Sequence, residues 1–446
     1  MKKDKFNTKF REYARTLSPQ QNERDLIGKI YQSFNDLFGV NNCIQIGAYP
    51  RFTAITPVHD LDILYFLGDW NENSHNPATA LQNLNSKLLS EYKNPTNYKI
   101  AISLQTHSVT LVFKDISEEI FSVDIVPAYT FLKNEFNEDT YKVPEVIRKK
   151  HGKNRVEYYQ KISQEHKEMD WINSDPRGYI KVASEIDKST DGEFRKTVKI
   201  IKEWNNNLVD KDQNLELKSF HLEQIITKYF RENQDLEIFD VIFKFFIELP
   251  EIVNNPNQIS DRANDDKFID DYLEKFTNEQ KEKIKSARDG FLVKLENLKE
   301  PDSVRELLKI YFYGRKSSEE FLFGSKIKTF IDSDLRFKID GFVKPLAGFS
   351  SGWLTQTQQL KNGLTRGKGK ARKIEFSIQN NTTSADEYRW KVKNDDGCEQ
   401  PRGEITPNQT KNNPESTEYV GEHYVECYAI SDNVCIAKSR VYVKII

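Results

Sequence analysis

The segment Asp60-Leu61-Asp62-Ile63-Leu64 limits most strongly what this chain can fold into. It alternates as a β-strand does, with successive side chains on opposite faces. Asp60 and Asp62 then share one face, about 7 Å apart by strand rise, while Leu61 and Ile63 face a core. Two carboxylates on one face repel each other unless they share a cation, and oxygen ligands suit Mg²⁺. The segment therefore predicts a metal-binding strand and, as the leading hypothesis, phosphoryl-type chemistry.

A third carboxylate, Asp124, stands in the apolar strand Ile120–Val126, with Val123 and Ile125 on the opposite face. If the two strands are neighbours, the three aspartates form a cluster that can hold two Mg²⁺ ions about 3.5–4 Å apart for in-line displacement at phosphorus. Mn²⁺ is an alternative metal. An Asp-x-Asp pair alone also occurs in Ca²⁺ loops and sugar-nucleotide glycosyltransferases, and Asp124 alone fits an inward carboxylate satisfied by a backbone or lysine partner.

A glycine turn at Gly47 precedes the first aspartate strand and follows the short strand Cys43–Ile46. Backbone N–H groups at such a turn can hold phosphate groups. A glycine turn upstream of Asp60 and Asp62, with Asp124 on a later strand, makes a nucleoside triphosphate the expected substrate class.

The chain has 446 residues, too many for one ordinary core, so we expect two or three domains. A formal net charge of -2 gives no global attraction to nucleic acid or to a membrane. Four cysteines in so long a chain do not make a disulfide framework. Because the N-terminus lacks the apolar run of a signal peptide and no stretch is long and apolar enough to span a bilayer, we expect a cytoplasmic protein.

Three segments differ in their residue patterns. Residues 1–165 mix strand and helix patterns and are predicted to form the catalytic core. Residues 166–335 show helical spacing and predict a helical lobe, whereas residues 350–446 alternate and predict a small β-rich domain. Near the N-terminus, Ser18-Pro19-Gln20-Gln21 predicts a helix start in which Ser18 is the N-cap.

The motifs of the first segment resemble one superfamily when they are read together. They are Gly47-Ala48, Arg51, Thr53-Ala54-Ile55, Asp60-x-Asp62 and Asp124. This pattern is similar to that of the polymerase-β-like nucleotidyltransferases, and most of all to bacterial enzymes similar to cyclic GMP-AMP synthase and oligoadenylate synthetase. Those bacterial enzymes make the cyclic-oligonucleotide second messengers of anti-phage defence (CBASS).

Later motifs agree with the resemblance. Lys199–Asn205 is similar to the family's helix ending in Lys-x-Trp-Asn, Leu217–Glu223 to the Lys-Ser-aromatic helix that follows it, and Phe323-Gly324 to the motif that closes the core. The resemblance implies an α/β (α+β) fold, with a polymerase-β-like nucleotidyltransferase core, a mixed sheet, a helical bundle lobe and a small β-rich C-terminal domain.

The resemblance also implies roles for individual residues. Asp60, Asp62 and Asp124 would bind the metal and catalyse the reaction, Lys202 and Ser219 would contact the donor triphosphate, and Phe220 would stack on its base. The family usually has Gly-Ser where this chain has Gly47-Ala48, so one phosphate-binding hydroxyl is missing. Arg51 or Thr53 would compensate. The other substrate-binding candidates are therefore Gly47, Ala48, Arg51 and Thr53.

The C-terminal segment resembles the small sensor domain attached to some of these synthases. The resemblance lies in Trp390–Asn394, Pro401–Ile405 and Tyr419–Tyr428, and it implies a regulatory ligand for this domain. His423, Cys427 and Cys435 superficially suggest zinc, but buried thiols in a β core are the favoured interpretation. A basic stretch from Lys361 to Lys373, which includes Lys368 and Lys370, is expected to be a solvated linker rather than a phosphate site.

The predicted partners are nucleoside triphosphates, ATP among them, with no membrane and no long nucleic acid. The predicted reaction joins two or more of them into a cyclic di- or oligonucleotide with release of pyrophosphate. Two alternatives stay open: a linear oligonucleotide synthase of the oligoadenylate or RNA-tailing type, and a nucleotide-binding sensor with little catalysis. Base identity, linkage and ring size are left open by the sequence.

Overall fold

The computed structural model covers both ends of the chain and most residues between them. The residues it describes are 2–69, 76–146, 169–298, 303–314, 319–332, 334–366, 371–406 and 412–446.

The N-terminal part of the chain forms a seven-stranded mixed sheet. Its strands are β1 Cys43–Ile46, β2 Asp60–Phe66, β3 Lys99–Leu104, β4 Val109–Asp115, β5 Glu118–Lys133, β6 Asp139–Val146 and β7 Met169–Ser174. The first five have the order β1-β2-β5-β4-β3, and the second half of β5 pairs with β6, which pairs with β7. The pairing of β2 with β5 is parallel, while all other pairs of this sheet are antiparallel.

Two helices, α2 (Gln21–Phe38) and α3 (Pro77–Glu91), cover one face of this sheet. Their apolar residues recur at helical spacing and pack on the inward residues of β2, β4 and β5. The predicted helix start was misplaced by two residues, because α2 begins at Gln21 with Gln20 as its N-cap. The Glu23 carboxylate accepts a hydrogen bond from the Gln20 N–H at 2.6 Å, so the Ser18 hydroxyl is not needed as a cap.

The middle part of the chain is a helical lobe with its own core. Its helices are α4 Pro176–Ser189, α5 Glu193–Lys211, α6 Ser219–Glu232, α7 Ile238–Asn254, α8 Asn278–Asn297 and α9 Val304–Leu308. The two-stranded hairpin β8 (Ser260–Asp261) and β9 (Asn264–Phe268) lies between α7 and α8. The N-terminal helix α1 (Lys2–Thr16) buries Phe6 and Phe10 in this same core. No helix in the described part of the chain has an apolar stretch that could cross a bilayer.

The C-terminal part is β-rich and consists of two sheets around one apolar core. The strands and the short helix are β10 Lys328–Thr329, β11 Lys338–Val343, β12 Gly352–Trp353, α10 Gln358–Asn362, β13 Lys373–Gln379, β14 Glu387–Lys393, β15 Ile405–Thr406, β16 Asn412–Ser416, β17 Gly421–Ser431 and β18 Val434–Ile445. One sheet has the order β10-β18-β17-β14-β15 and the other β12-β11-β13-β16. Inward residues such as Phe376, Trp390 and Val443 fill the space between them.

The predicted fold class is confirmed: a mixed sheet with helices, a helical lobe and a β-rich C-terminal part follow one another along the chain. The domain limits 1–165, 166–335 and 350–446 stay predictions, and the boundary at 165/166 lies outside the described residues. All four cysteines are free thiols.

A buried carboxyl group, Glu296 of α8, lies at the junction between the helical lobe and the C-terminal sheets. Its Oε2 has no hydrogen-bond partner among the described residues. Burial raises the pKa of Glu296 to about 7, and Glu426 adds to the rise, whereas Lys438 and Lys391 oppose it. Lys438 on β18 also donates to the Asn297 Oδ1 at 2.7 Å and so ties the sheet to α8. Burial at this junction therefore favours the protonated, neutral form of Glu296.

We expect Glu296→Gln to change how stability depends on pH. The pKa of Glu296 is raised in the folded protein, so its stabilising contribution is complete below about pH 4.5 and is lost as the pH rises through about 7. The loss amounts to at most about 3 kcal/mol. Glutamine does not titrate, so the variant should gain stability relative to the wild type between pH 5 and pH 8, measured by urea denaturation. Glu282→Gln, an exposed change on the same helix, is the control, and parallel pH profiles for Glu296→Gln and the wild type would show that Glu296 does not titrate there.

Candidate active site

The structure brings the three predicted aspartates to one face of the mixed sheet. Asp62 lies directly beside Asp124 in the parallel pairing of β2 with β5, and Asp60 lies beside Ser122. The intervening residues Leu61 and Val123 are buried against α2 and α3. Because side chains alternate along a strand, burying these residues turns the carboxylates to the opposite face, which borders a cleft.

Negative charge is concentrated at this point of the sheet. Burial raises the pKa of Asp62 to about 7, and the neighbouring Asp60 and Asp124 raise it further, while Arg51 opposes them. The Asp124 Oδ1 accepts hydrogen bonds from two hydroxyl groups, that of Thr110 on β4 and that of Ser108 just before β4. Among the described residues, the side chains of Asp60 and Asp62 have no hydrogen-bond or ion-pair partner of their own. In the described part of the chain, none of the three carboxylates therefore has a directly paired cation, and Arg51 offsets the charge at Asp62 only in part.

The glycine turn lies against the middle carboxylate. Gly47 has φ +77°, and a Cβ atom built on it would lie 1.9 Å from the Asp62 Oδ2, so both backbone conformation and space require glycine here. The next residues form a tight turn in which the Thr53 N–H donates to the Ala48 carbonyl oxygen at 3.1 Å. Gly47 and Ala48 both line the cleft.

The cleft has a volume of about 390 Å³ and lies between the sheet and the helical lobe. The lobe contributes Lys202 from the buried face of α5 and Ser219 and Phe220 from the first turn of α6. The Arg51 guanidinium lies over the Phe220 ring, 5.1 Å from its centroid. Two of the sequence-predicted residues, Thr53 and Asp124, do not line the cleft. Thr53 is fully buried, and Asp124 accepts hydrogen bonds from Thr110 and Ser108.

A buried carboxylate, Glu223 of α6, holds three of the predicted phosphate-binding residues. It accepts hydrogen bonds from the Arg51 Nε at 2.5 Å and the Thr53 Oγ1 at 2.8 Å, and it lies 3.5 Å from the Lys202 Nζ. Burial alone would raise the pKa of Glu223, but Arg51 and Lys202 outweigh it and the pKa is lowered. Burial lowers the pKa of Lys202 despite the attraction of Glu223. In this structure the positive charges of Arg51 and Lys202 are thus shared with Glu223.

The sequence interpretation missed a group of residues at the far end of the cleft. The Tyr179 ring of α4 makes an edge contact with the Phe220 ring at 4.8 Å, and its hydroxyl donates to the Asp261 Oδ1 at 3.1 Å. Asp175, the N-cap of α4, pairs with the Arg262 Nε at 2.7 Å. The pair Asp175-Pro176 has the sequence pattern of a helix N-terminus and was detectable. Asp261 had no such signal, because only the tertiary fold brings it to the cleft.

In the C-terminal part, His423, which superficially suggested zinc, is hydrogen-bonded to other residues of the protein. The His423 Nδ1 accepts from the Asp395 N–H, and the His423 Nε2 donates to the Tyr419 carbonyl oxygen, so both ring nitrogens already have partners. In the basic stretch, Arg372 is buried and donates to the Ser350 carbonyl oxygen. Lys368 and Lys370 lie outside the described residues.

Comparison with known proteins supports the resemblance of the C-terminal part and finds a relative described as a cyclic nucleotide synthase. Residues 320–446 match the family model described as "Adenylyl/Guanylyl and SMODS C-terminal sensor domain", so the match begins ahead of the predicted start at 350. The chain is 22% identical over 232 residues to a protein of Bacillus cereus (strain VD146) described as a "Probable cyclic nucleotide synthase". That similarity covers 46% of this chain, and the chain spans 60% of the length of the relative.

Two solved structures are also similar. The first is described as "Structure of E. coli MS115-1 CdnC + ATP", with 16% identity, a TM-score of 0.47 and coverage of 69% of this chain and 98% of that one. The second is described as "Structure of STING-associated CdnE c-di-GMP synthase from Capnocytophaga granulosa", with 18% identity, a TM-score of 0.38 and coverage of 61% of this chain and 76% of that one.

We expect Gly47→Ala to destabilise the protein more than a glycine change with the same backbone strain. A non-glycine residue at positive φ costs about 1–2 kcal/mol, and forcing an atom against the Asp62 carboxylate adds about 1–3 kcal/mol. Gly68→Ala is the matched control, since Gly68 has φ +72° and open space where a Cβ atom would lie. Urea denaturation of both variants separates strain from the clash. Equal losses for the two variants would contradict the close approach of Gly47 to Asp62.

We expect Glu223→Gln to destabilise the protein by about 3–5 kcal/mol, because it leaves two buried cations, Arg51 and Lys202, without their counter-charge. The control is Glu232→Gln on the same helix, where the carboxylate is exposed and pairs with Lys244, and where the loss should stay within about 1 kcal/mol. Urea denaturation of both variants gives the comparison. If Glu223→Gln lost no more stability than Glu232→Gln, the contacts of Glu223 with Arg51, Thr53 and Lys202 would not be what joins the sheet to the helical lobe.

Proposed function

We propose that this chain is a metal-dependent nucleotidyltransferase that makes a cyclic di- or oligonucleotide from nucleoside triphosphates. The observation that carries the proposal is the position of Asp62 beside Asp124, with Asp60 on the same face, at the edge of a cleft. Gly47 lies against this group, and the N-terminus of α6 lies across the cleft with Ser219 and Phe220. Carboxylates on one side and a helix N-terminus on the other fit a substrate with a phosphate chain.

Asp60, Asp62 and Asp124 are the residues that would hold divalent cations, Mg²⁺ or alternatively Mn²⁺. The uncompensated charge at Asp62 fits a cation there, as does the all-oxygen donor set. No three histidine, cysteine or carboxylate side chains within the described ranges already stand at metal-binding spacing, so the carboxylates would draw together on binding. When bound, the cations would lower the pKa of the attacking ribose hydroxyl and neutralise charge on the departing pyrophosphate.

The chain's own residues would position the triphosphate and the base. Backbone N–H groups at Gly47 and Ala48 and at the first turn of α6 would bind phosphate oxygens, with Ser219 adding its hydroxyl. Lys202 and Arg51 would balance the charge of the triphosphate, each sharing its charge with Glu223, and Thr53 would act by holding Glu223. Phe220 would stack on the base. In the reaction, a ribose hydroxyl of one nucleotide attacks the α-phosphate of another, and pyrophosphate leaves.

A cyclic product and a role in anti-phage signalling are supported by the similarity to a described cyclic nucleotide synthase and by the sensor-domain match. ATP is proposed as one of the substrates. The C-terminal part would bind a regulatory ligand that controls synthesis.

A second function, a nucleotide-binding sensor with little catalysis, is favoured by two observations at the phosphate end of the cleft. Ala48 has no hydroxyl where the resembling enzymes have serine, and the charges of Arg51 and Lys202 are already shared with Glu223. Both features weaken the contacts available to a triphosphate, since one hydrogen bond to a charged group contributes about 1.5–3 kcal/mol.

Incubating the purified chain with each labelled nucleoside triphosphate and Mg²⁺ tests the proposal. We expect small phosphatase-resistant products from the wild type and a loss of turnover of about 100-fold or more in Asp62→Asn and in Asp124→Asn, because both changes remove a ligand charge. Asp115→Asn, an exposed change at the end of β4, should keep activity.

The pattern of products separates the alternatives. Ladders of increasing length would indicate a linear synthase, and nucleotide binding without turnover would indicate the sensor. Unchanged turnover in both aspartate variants would show that the site assignment is wrong.

A further inference from the structure

The hairpin β8–β9 places a carboxylate, Asp261, at the cleft, where Tyr179 and Phe220 also lie. The hairpin is fixed at several points, because Arg262 pairs with Asp175 and the Asn264 Nδ2 donates to the Asn173 carbonyl oxygen at 2.8 Å. These contacts join the hairpin to α4 and to β7 of the sheet. Asp261 is therefore held in place by the surrounding fold before any ligand binds.

The two oxygens of Asp261 have different surroundings. The Oδ1 accepts hydrogen bonds from the Tyr179 hydroxyl at 3.1 Å and from the Ala263 N–H at 3.0 Å, which occupies both of its lone pairs. For the Oδ2, the described residues provide no hydrogen-bond donor. Asp261 is partly exposed and lines the cleft, so the Oδ2 is the acceptor available to a ligand.

Tyr179 links Asp261 to Phe220, the residue on which the base would stack. Its ring contacts the Phe220 ring at 4.8 Å, and its hydroxyl, at the far end of the same side chain, reaches Asp261. The Arg262 N–H donates to the Tyr179 hydroxyl at 3.0 Å, which directs the hydroxyl hydrogen towards Asp261. Under the proposed function the phosphate chain and ribose lie towards Gly47 and the aspartates, so a base against Phe220 would have its outer edge towards Asp261.

We propose that Asp261 selects guanine for the nucleotide whose base lies against Phe220. Guanine has two adjacent donors on its Watson–Crick edge, N1–H and N2–H₂, and both can donate to the Oδ2, which has two free lone pairs. Adenine and cytosine have one donor beside a ring nitrogen whose lone pair repels the carboxylate, and uracil has one donor between two carbonyl oxygens. The inference rests on the proposed function, because it assigns a base to the same cleft.

Equilibrium binding of α,β-methylene triphosphates tests the inference without turnover. With Mg²⁺ present, calorimetry with the guanosine, inosine and adenosine analogues should give the tightest binding for guanosine, by about tenfold or more over adenosine. Inosine lacks the N2 amine and should lie between them. In Asp261→Asn the preference should shrink to about twofold or reverse towards adenine. The carboxamide oxygen would stay with Tyr179 and Ala263, so its Nδ2 would face the base, oppose guanine's two donors and donate to adenine's N1.

Two further variants keep the test decisive. Asp266→Asn lies on the same hairpin, is exposed and does not line the cleft, so it should keep the wild-type preference. Tyr179→Phe removes only the hydroxyl that positions Asp261, and it should reduce the preference by a smaller factor even if Asp261→Asn fails to fold.

Equal affinities for the three analogues in the wild type, or an unchanged guanine preference in Asp261→Asn, would overturn the inference while leaving a nucleotide site in place. A failure of all three analogues to bind to the wild type would instead contradict the proposed function.

Discussion

The parallel pairing of β2 with β5 is the contact on which the rest of the cleft depends. It sets the register that places Asp62 beside Asp124, and it persists because the alternate residues of both strands, such as Ile63 and Ile125, are fully buried against α2 and α3. A slip of one residue would turn every apolar side chain away from that core. The favourable burial of the apolar face thus outweighs the cost of placing carboxylates together on the other face, where burial, and then Asp60 and Asp124, raise the pKa of Asp62.

A buried ionic group joins the two walls of the cleft, in addition to apolar contacts such as those of Ile55 and Phe136 with the helical core. Arg51 and Thr53 come from the loop before β2, whereas Glu223 comes from α6 and Lys202 from α5. Removing one member of such a buried ionic group costs more than the group as a whole contributes, because the remaining charges stay buried. The same residues that would balance a phosphate charge therefore also join the two lobes, so binding of the proposed substrate would be coupled to the relative position of the lobes.

The sequence was sufficient where a local pattern decides the structure and insufficient where distant segments meet. Alternation placed Asp60, Asp62 and Asp124 on strands, and the structure has them on one face. The start of α2 was misplaced because the Ser18-Pro19 pattern predicts an N-cap at Ser18, whereas the Gln20 N–H donates to Glu23 and makes Gln20 the N-cap. The packing of α1 on the helical lobe, the sharing of Arg51 with Glu223 and the position of Asp261 all depend on contacts between residues far apart in the chain, which no local pattern encodes.

The charged residues at the cleft favour bound cations, and this argument does not depend on similarity to other proteins. The cleft is lined by four carboxylates, Asp60, Asp62, Asp175 and Asp261, and by two cations, Arg51 and Lys202. Asp175 is paired with Arg262, and the two cations share one further carboxylate, Glu223. Five carboxylates therefore face three cations, and the excess charge at the cleft is negative. A triphosphate brought to this surface alone would be repelled, since like charges in a partly buried site are weakly screened. Divalent cations held by Asp62 and its neighbours would reverse the sign of that interaction, so the proposed function requires a nucleotide and its cations to bind together.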